Sequence, residues 1–412
     1  MIPVEEARQR ILAGVAPLPA ETVALPDALG RVLAADAAAR RTQPWAALSA
    51  MDGYAVRAAD VADVPAVLTE IGRVPAGTTF DGAIGPGECV RIFTGAPLPD
   101  GADAIVIQED TEREEVASGA RVTVRESAPA GRFVRPAGLD FREGEVLLPA
   151  GTLMTARHIG LAAAMNLPWL RVHRRPRVAI LATGDEIVMP GEPVGPSQIV
   201  SANGPSLSAV VTACGGVPVS LGIAPDDPQA LAARVADARG ADLLVTTGGA
   251  SVGEHDLIRE GLGGGDTGDN GLALDFWRIA MRPGKPLLFG RISAMPMLGL
   301  PGNPVSTLVC ALLFLRPLLF ALQGVHLPEA PVTASLGREL PANDRRQDYL
   351  RAALSREADG TPVATPFARQ DSSMVATLAR ADCLVVRPPN APAARAGETV
   401  EIVPFEAGLT RL

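Results

Sequence analysis

The pattern of apolar and polar positions divides this chain of 412 residues into regions of different secondary structure. At the N-terminus, Val4, Ile11 and Val15 recur at helical spacing and predict an amphipathic helix. Between about residues 42 and 150, short apolar runs alternate with Gly and Pro turns, which is typical of a mostly β region. The chain carries 42 glycines and 37 prolines, so many short elements are expected.

A different pattern begins at Arg177. The runs RVAILATG, PVSLGIAP and DLLVTTGG have the length of buried strands and are separated by helical stretches. Repeated strand and helix units predict a parallel sheet covered by helices, with the functional site at the carboxyl ends of its strands. After Leu327 the chain is again punctuated by proline and strand-like, which predicts a small C-terminal β domain.

The most apolar stretch, Val305–Leu322, approaches the length of a membrane span. Arg316 and Pro317 interrupt it, and the preceding residues 301–304 (PGNP) provide a helix start. We therefore expect a helix buried inside the protein and no membrane segment.

Composition narrows the class of protein. The net charge is -9, with 47% hydrophobic and 20% charged residues, which is typical of globular proteins and argues against nucleic-acid binding. The four cysteines are widely separated, so no CxxC metal or redox motif is present, and the N-terminus lacks the apolar core of a signal peptide. A cytoplasmic protein is expected. Lys285 is the only lysine among 37 cationic side chains.

Several turns that follow the predicted strands combine glycine with acidic or hydroxyl side chains, which favours a phosphate-bearing ligand. Thr183 opens one such turn, and Glu186, Asp226 and Asp256 would converge near these turns if the sheet is parallel. Carboxylates beside phosphates usually hold Mg²⁺. The alternative is that these are ordinary tight turns with solvated carboxylates, Asp226 being a residue at a helix N-terminus.

A cationic segment and a second helix start add to this pattern. Arg278, Arg282 and Lys285 lie within eight residues around a Pro-Gly turn, either as an oxyanion clamp or as a solvated hairpin. Asn303 is placed to cap a helix that begins at Pro304, and Ser306 would lie in its first turn.

Taken together, these segments resemble the molybdopterin molybdenumtransferase family, called MoeA in bacteria and represented by the E domains of gephyrin and its plant relative. The resemblance extends from about residue 49 to 354. It rests on SAMDGYAVR, RIFTGAPLP, RPAGLDFREGE, ATGDEIV, TTGGASVGEHD, RPGKP, GLPGNPVST and DYLRAAL, in this order.

The resemblance implies a multidomain α/β plus β fold and a homodimer with the site between subunits. The α/β domain would be a three-layer, molybdopterin-binding type with a parallel-rich sheet. The expected domains are an elongated N-terminal domain formed by 1–41 and 141–175, a β-rich insertion domain at 42–140, the α/β domain at 176–326 and a C-terminal β-barrel at 327–412.

The family's functional positions carry over onto this sequence by motif. The catalytic acidic positions fall on Asp52, Asp140, Glu186, Asp226 and Asp256, of which Glu186, Asp226 and Asp256 are the expected metal ligands. The expected molybdate and substrate positions are Thr94, Thr183, Arg278, Arg282, Lys285, Pro301, Pro304, Ser306, Arg351 and Ser373. Arg278 and Arg282 stand where the family commonly has lysine.

The implied reaction inserts molybdenum from molybdate into adenylylated molybdopterin, with Mg²⁺-dependent release of AMP, in molybdenum cofactor biosynthesis. Other proteins of that pathway and recipient molybdoenzymes are the expected partners. Ala47, Leu48 and Asp371 depart from the family's usual residues. Two alternatives therefore stay open: an enzyme that adenylylates molybdopterin, and a dimeric scaffold or carrier of molybdopterin without turnover.

Overall fold

The computed structural model describes residues 1–75, 77–117, 119–248, 272–325 and 331–405. Two separated stretches of chain pair near the N-terminus. Their strands form antiparallel pairs, Ala20–Ala24 with Trp169–His173 and Ala37–Ala38 with Val146–Leu148. The helices of this part are Val4–Leu12, the 3-10 helix Leu25–Ala28 and Ala156–Ala164. Thr155 and His158 form a capping box at the start of the last helix.

The chain between these two stretches forms a separate six-stranded sheet. The short apolar runs between Gly and Pro turns predicted a mostly β region here. Its strands lie in the order Ala104–Ile107, Gly53–Val56, Glu88–Ile92, Ala66–Val74, Gly119–Val124 and Thr111–Val116. Short 3-10 helices lie at Ala58–Val61 and Gln108–Asp110, and Leu48–Ser49 pairs with Val134–Arg135. Tyr54, Val56 and Val122 contribute to the core on one face of this sheet.

The α/β part contains a second six-stranded sheet. Its strand order is Val217–Ala224, Arg177–Thr183, Leu243–Thr247, Met295–Leu300, Pro286–Ile292 and Leu272–Arg278. The first four strands are mutually parallel, and only Pro286–Ile292 runs in the opposite direction, so the sheet is parallel-rich as expected. A two-residue parallel pair, Ile187–Val188 with Ile199–Val200, lies outside it.

Helices cover both faces of this sheet. Along strand 177–183, Val178 and Ile180 join the core cluster that contains helix Asn203–Ala213, whereas Ala179 and Leu181 join the cluster that contains helix Pro228–Ala236. Because successive side chains of a strand point to opposite faces, the two clusters lie on opposite sides of the sheet. The predicted three-layer α/β fold is confirmed.

The apolar stretch 304–322 forms a helix that is 67% buried inside the protein over its most apolar window. It consists of α-helix Pro304–Cys310, a π-helical segment Ala311–Leu315 and α-helix Arg316–Leu322. Pro317 explains the irregular middle, because it has no N–H for the regular helical hydrogen bond. Among the helices of the described ranges, it is the one long and apolar enough to cross a membrane.

The C-terminal region forms a closed five-stranded barrel. The strands are Val332–Leu336, Gln347–Arg356, Pro362–Pro366, Cys383–Arg387 and Thr399–Pro404, with a short helix Val375–Ala379. Strand 347–356 pairs with both 362–366 and 383–387, which closes the barrel. Met281–Arg282 pairs with the start of strand 347–356 and so joins the barrel to the α/β part.

Candidate functional site

A cavity of about 370 Å³ lies at the carboxyl edge of the α/β sheet. The parallel strands 177–183, 243–247 and 295–300 end there, as expected for a binding site in an open α/β sheet. Predicted site residues that line the cavity are Thr183, Glu186, Pro301, Pro304 and Ser306.

Two helix N-termini face this cavity. Asn203 begins one helix, Pro304 begins the other, and both residues line the cavity. The described lining residues include no Arg or Lys. The partial positive charge at the two helix N-termini therefore supplies the attraction for an anion at this edge.

Asn203 is a site residue that the sequence analysis missed. Its Nδ2 donates to Thr247 Oγ1 at 2.8 Å and to the Gly302 carbonyl at 2.7 Å. The side chain thus joins a helix start, a strand end and the PGNP turn. An Asn two residues before a proline, three residues after the end of a short apolar strand, was the available signal.

Asn303 lies at the predicted N-cap position, but its side chain makes no capping hydrogen bond. The hydroxyl of Thr307 instead donates to the carbonyls of Pro301 at 2.5 Å and Asn303 at 3.0 Å. The PGNP turn is therefore stabilised by the side chain of Thr307, in the first turn of the helix, and not by the side chain of Asn303.

Two buried oxygens that have no hydrogen-bond partner among the described residues belong to residues lining this cavity, Thr183 Oγ1 and Asn203 Oδ1. Thr183 is only 7% exposed, so its hydroxyl is costly to leave unpaired. Gly248, at φ +88°, closes the neighbouring turn, and a Cβ there would lie 2.5 Å from the Thr183 carbonyl oxygen. The strand ends thus bring unpaired polar atoms close to a ligand's position.

Only two of the three predicted metal ligands, Glu186 and Asp226, lie among the described residues. Glu186 is exposed and lines the cavity, and the N–H of Asp226 donates to Asp185 Oδ1 at 3.1 Å, which ties two acidic turns together. Asp227, rather than Asp226, caps helix 228–236 through the N–H of Ala230 at 2.7 Å. Asp256 lies outside the described residues, within which no group of three or more His, Cys, Asp or Glu side chains is arranged to hold a metal.

Asp52 and Thr94 form a second polar cluster, on the insertion sheet. The N–H and the hydroxyl of Thr94 both donate to Asp52 Oδ1 at 2.8 Å. These bonds, chiefly the one from the N–H, hold the pKa of Asp52 below its ordinary value. Neither residue lines the cavity, and neither does the exposed Asp140.

The predicted cations occupy different environments. Arg282 pairs with Asp348, its Nε lying 3.1 Å from Asp348 Oδ2, and its Nη1 lies 3.6 Å from Asp344 Oδ2. Lys285 is exposed and directly precedes Pro286, which lines the cavity. Arg278 ends the edge strand 272–278 and is half-buried.

Arg351 is 1% exposed and holds the loop of residues 370–374. Its guanidinium donates to Gln370 Oε1 at 3.2 Å and to the carbonyls of Met374 at 3.1 Å and Asp371 at 2.9 Å. The carbonyl of Ser372 in turn accepts from the N–H of Val305 at 3.2 Å. The loop that carries Ser373 therefore lies against the helix start that carries Ser306.

Asp371 forms a local turn with Ser373. Its Oδ1 accepts from the Ser373 hydroxyl at 2.6 Å and from the Ser373 N–H at 2.8 Å. These bonds, led by that of the hydroxyl, lower the pKa of Asp371. The Ser373 hydroxyl is thus committed to a carboxylate.

Comparison with known families covers most of the chain. Residues 2–166 match the MoeA N-terminal region (domain I and II), residues 179–321 a probable molybdopterin binding domain, and residues 333–405 the MoeA C-terminal region (domain IV).

Curated relatives agree with these matches. A molybdopterin molybdenumtransferase of Nostoc sp. is 37% identical over 81% of this chain and 77% of its own. Those of Haemophilus influenzae and Bacillus subtilis are 31% and 33% identical, over 98% of this chain and 99% and 94% of theirs. Among solved structures, a molybdopterin biosynthesis MoeA protein of Pyrococcus horikosii superposes with a TM-score of 0.84, at 30% identity, over 98% of this chain and 99% of its own.

Proposed function

The chain belongs to the MoeA family of molybdopterin molybdenumtransferases, transferases of molybdenum cofactor biosynthesis, and we propose that it inserts molybdenum from molybdate into adenylylated molybdopterin with release of AMP. The observation that carries this proposal is the cavity at the sheet edge. It combines two helix N-termini with the unpaired hydroxyl of Thr183, and it adjoins the loop that carries Ser373. The reaction would take place in the cytoplasm.

The first step is recognition of the phosphoanhydride. Each helix N-terminus contributes about 0.3–1 kcal/mol, and up to about 2 kcal/mol when partly buried, to holding a negative charge. The Thr183 hydroxyl would donate to a phosphate oxygen, and Asn203 Oδ1 would accept from a hydroxyl or amino group of the substrate. Binding in this way leaves the anhydride oriented along the sheet edge.

Glu186 lines the cavity, and Mg²⁺ is usually bound by one or two carboxylates together with substrate phosphates and water. Glu186 and Asp226 would hold the ion together with Asp256. When bound, Mg²⁺ would neutralise the phosphate oxygens and polarise the anhydride for hydrolysis. Chelation with EDTA should therefore stop AMP release, and added Mg²⁺ should restore it.

Molybdate would bind where the α/β part meets the C-terminal barrel. Ser306 offers a hydroxyl group there, Pro301 and Pro304 shape the turn, and Arg351 fixes the loop. For Ser373 to donate to molybdate, its hydroxyl would have to turn away from Asp371. Lys285 and Arg282 would add positive charge from the neighbouring segment.

Asp52, Thr94 and Asp140 lie on the insertion part of the chain and do not line the cavity. We propose that they reach the site of a second copy in a homodimer. A complementation experiment tests this arrangement: Asp52→Asn and Thr183→Val proteins, each at least tenfold less active alone, should recover activity when their subunits are mixed and exchanged. Continued inactivity of proven mixed dimers would contradict a shared site.

The decisive assay supplies purified protein with adenylylated molybdopterin, molybdate and Mg²⁺ and measures AMP. The wild type should release AMP in a molybdate-dependent manner, and Thr183→Val should release at least tenfold less. ATP consumption without molybdate would instead identify an adenylylating enzyme. Tight substrate binding without AMP release would identify a carrier.

A further inference from the structure

A second cavity, of about 280 Å³, lies at one end of the C-terminal barrel. It shares no lining residue with the cavity at the sheet edge. Its charged lining residues are Arg282, Arg338, Asp348 and Arg387. The cavity wall thus contains three arginines and a single carboxylate-bearing residue.

The strand register explains why these side chains meet. Asp348 lies directly opposite Arg282 on one neighbouring strand and opposite Arg387 on the other. Residues directly opposite each other in adjacent strands project from the same face of a sheet. The row Arg282, Asp348 and Arg387 is therefore built into the barrel by its register.

Asp348 has one satisfied and one unsatisfied oxygen. Oδ2 accepts both hydrogen bonds from Arg282, whereas Oδ1 is buried without a partner among the described residues. The side chain is only 5% exposed, so water does not readily solvate this oxygen. A buried carboxylate oxygen can only accept, so it requires a donor.

The neutral groups of the cavity wall do not supply that donor. The side-chain N–H groups of Gln370 donate to the carbonyls of Arg351 and Phe367. The amide of Asn343 donates to the carbonyls of Arg346, Arg387 and Pro388.

The remaining cations lack a carboxylate partner in the described ranges. Arg387 is 7% exposed and donates to the carbonyls of Pro341, at 3.3 Å, and Pro392. Arg338 is half-buried and makes no hydrogen bond or ion pair with the other described residues. Buried guanidinium groups without carboxylates favour an oxyanion, which can accept several of their N–H bonds.

We propose that this cavity binds a phosphate group in its protonated form, as inorganic phosphate or a phosphate monoester. The guanidinium groups of Arg338, Arg387 and Arg282 would bind the oxygens, and the P–OH would donate to Asp348 Oδ1. Sulfate and molybdate carry no proton near neutral pH, so each would place an acceptor against Asp348 Oδ1 and be repelled. The cavity would therefore bind phosphate in preference to molybdate, in a protein whose proposed reaction involves both phosphate groups and molybdate.

Isothermal titration of the full chain with inorganic phosphate, sulfate and molybdate tests the proposal without any turnover. Phosphate should bind at least tenfold more tightly than sulfate. Arg338→Ala should weaken phosphate binding at least tenfold, because Arg338 lines the cavity, whereas the exposed Arg395→Ala serves as the matched control and should leave it unchanged. Only the component of molybdate binding that Arg338→Ala removes is assigned to this cavity.

Asp348→Asn tests the selectivity directly. An amide can donate to either anion, so the preference for phosphate over sulfate should fall to about one. If Asp348→Asn does not fold, the phosphate titration of Arg338→Ala tests the proposal by itself. The half-buried Arg338 side chain makes no hydrogen bond or ion pair with the described residues that its removal would break. Equal wild-type binding of sulfate and phosphate, unchanged binding in Arg338→Ala, or no phosphate binding would each overturn the proposal.

The source of the phosphate group is distinguished by titration with AMP. AMP binding that is lost in Arg338→Ala but kept in Thr183→Val would identify a monoester as ligand, because Thr183 belongs to the other cavity. Binding of inorganic phosphate alone would identify the free anion. Both results support a protonated phosphate site, and neither depends on AMP release by the enzyme.

Discussion

Replacement of Arg351 by methionine tests whether this arginine holds the loop of residues 370–374 or binds molybdate itself. Its three side-chain hydrogen bonds, of 2.9–3.2 Å, all end on oxygens of that loop. At 1% exposure the guanidinium is almost inaccessible. We therefore expect Arg351 to act through the position of Ser373.

The size of the effect follows from two opposing terms. A hydrogen bond from a charged group contributes about 1.5–3 kcal/mol, so the loss of three removes roughly 5–9 kcal/mol before compensation. Methionine also avoids the burial of a charge, which costs several kcal/mol per ion. A net destabilisation of about 2–4 kcal/mol remains. Since each kcal/mol lowers the unfolding midpoint by roughly 2–4 °C in a unit of 150–250 residues, a fall of at least about 4 °C is expected.

The assay combines calorimetry with the molybdate dependence of AMP release. Arg351→Met should lower Tm and raise KM for molybdate together, and Arg351→Lys should do the same, because one ammonium cannot reach all three acceptors. Arg356→Met is the control, since this exposed arginine of the same strand donates, within the described residues, only to the Gly360 carbonyl. A wild-type Tm in both variants, with activity kept by lysine and lost in methionine, would refute the reasoning and show direct charge contact with molybdate.

Three further changes have definite expected outcomes. Thr94→Val removes one of the bonds that lower the pKa of Asp52, so the acid limb of AMP release should move to higher pH; an unmoved limb would argue against an ionised Asp52 in the reaction. Gly248→Ala places a Cβ 2.5 Å from a backbone oxygen and should lower AMP release at least tenfold. Gly240→Ala is the control, because Gly240 has a similar φ but nothing within 4 Å of the added Cβ. It should lower only the free energy of unfolding, by the backbone strain of about 1–3 kcal/mol. Lys285→Arg should lower AMP release at least fivefold; wild-type release would show that a planar fork serves equally well there.

The fold was predictable because local patterns and tertiary structure agree. Strand 177–183 is apolar on both faces, and helices cover both faces, so the run RVAILATG and the strand and helix units that follow it indicate a parallel sheet. The burial of helix 304–322 inside the protein was predicted from the interruption of its apolar stretch by Arg316 and Pro317. Its π-helical segment was not, because the sequence shows where a hydrogen bond is lost but not how the turn is reorganised.

The site was predictable where it depends on strand ends and not where it depends on distant pairing. Thr183, Glu186 and Ser306 follow strands or begin helices, and the parallel sheet brings their segments to one edge. Asn203 was missed, since its partners at Thr247 and Gly302 are 44 and 99 residues away in the sequence. No local pattern encodes such a bridge.

The presence of arginine and not lysine at position 282 has a structural consequence in this chain. A guanidinium can direct two N–H groups to Asp348 Oδ2 and extend a third nitrogen toward Asp344, whereas an ammonium acts as a single point charge. The charge of Arg282 is therefore anchored to the barrel, and Asp348 keeps only one oxygen for another ligand. An Arg282→Lys change would loosen that anchor and alter both the oxyanion site and the barrel cavity, so the two sites are coupled through a single side chain.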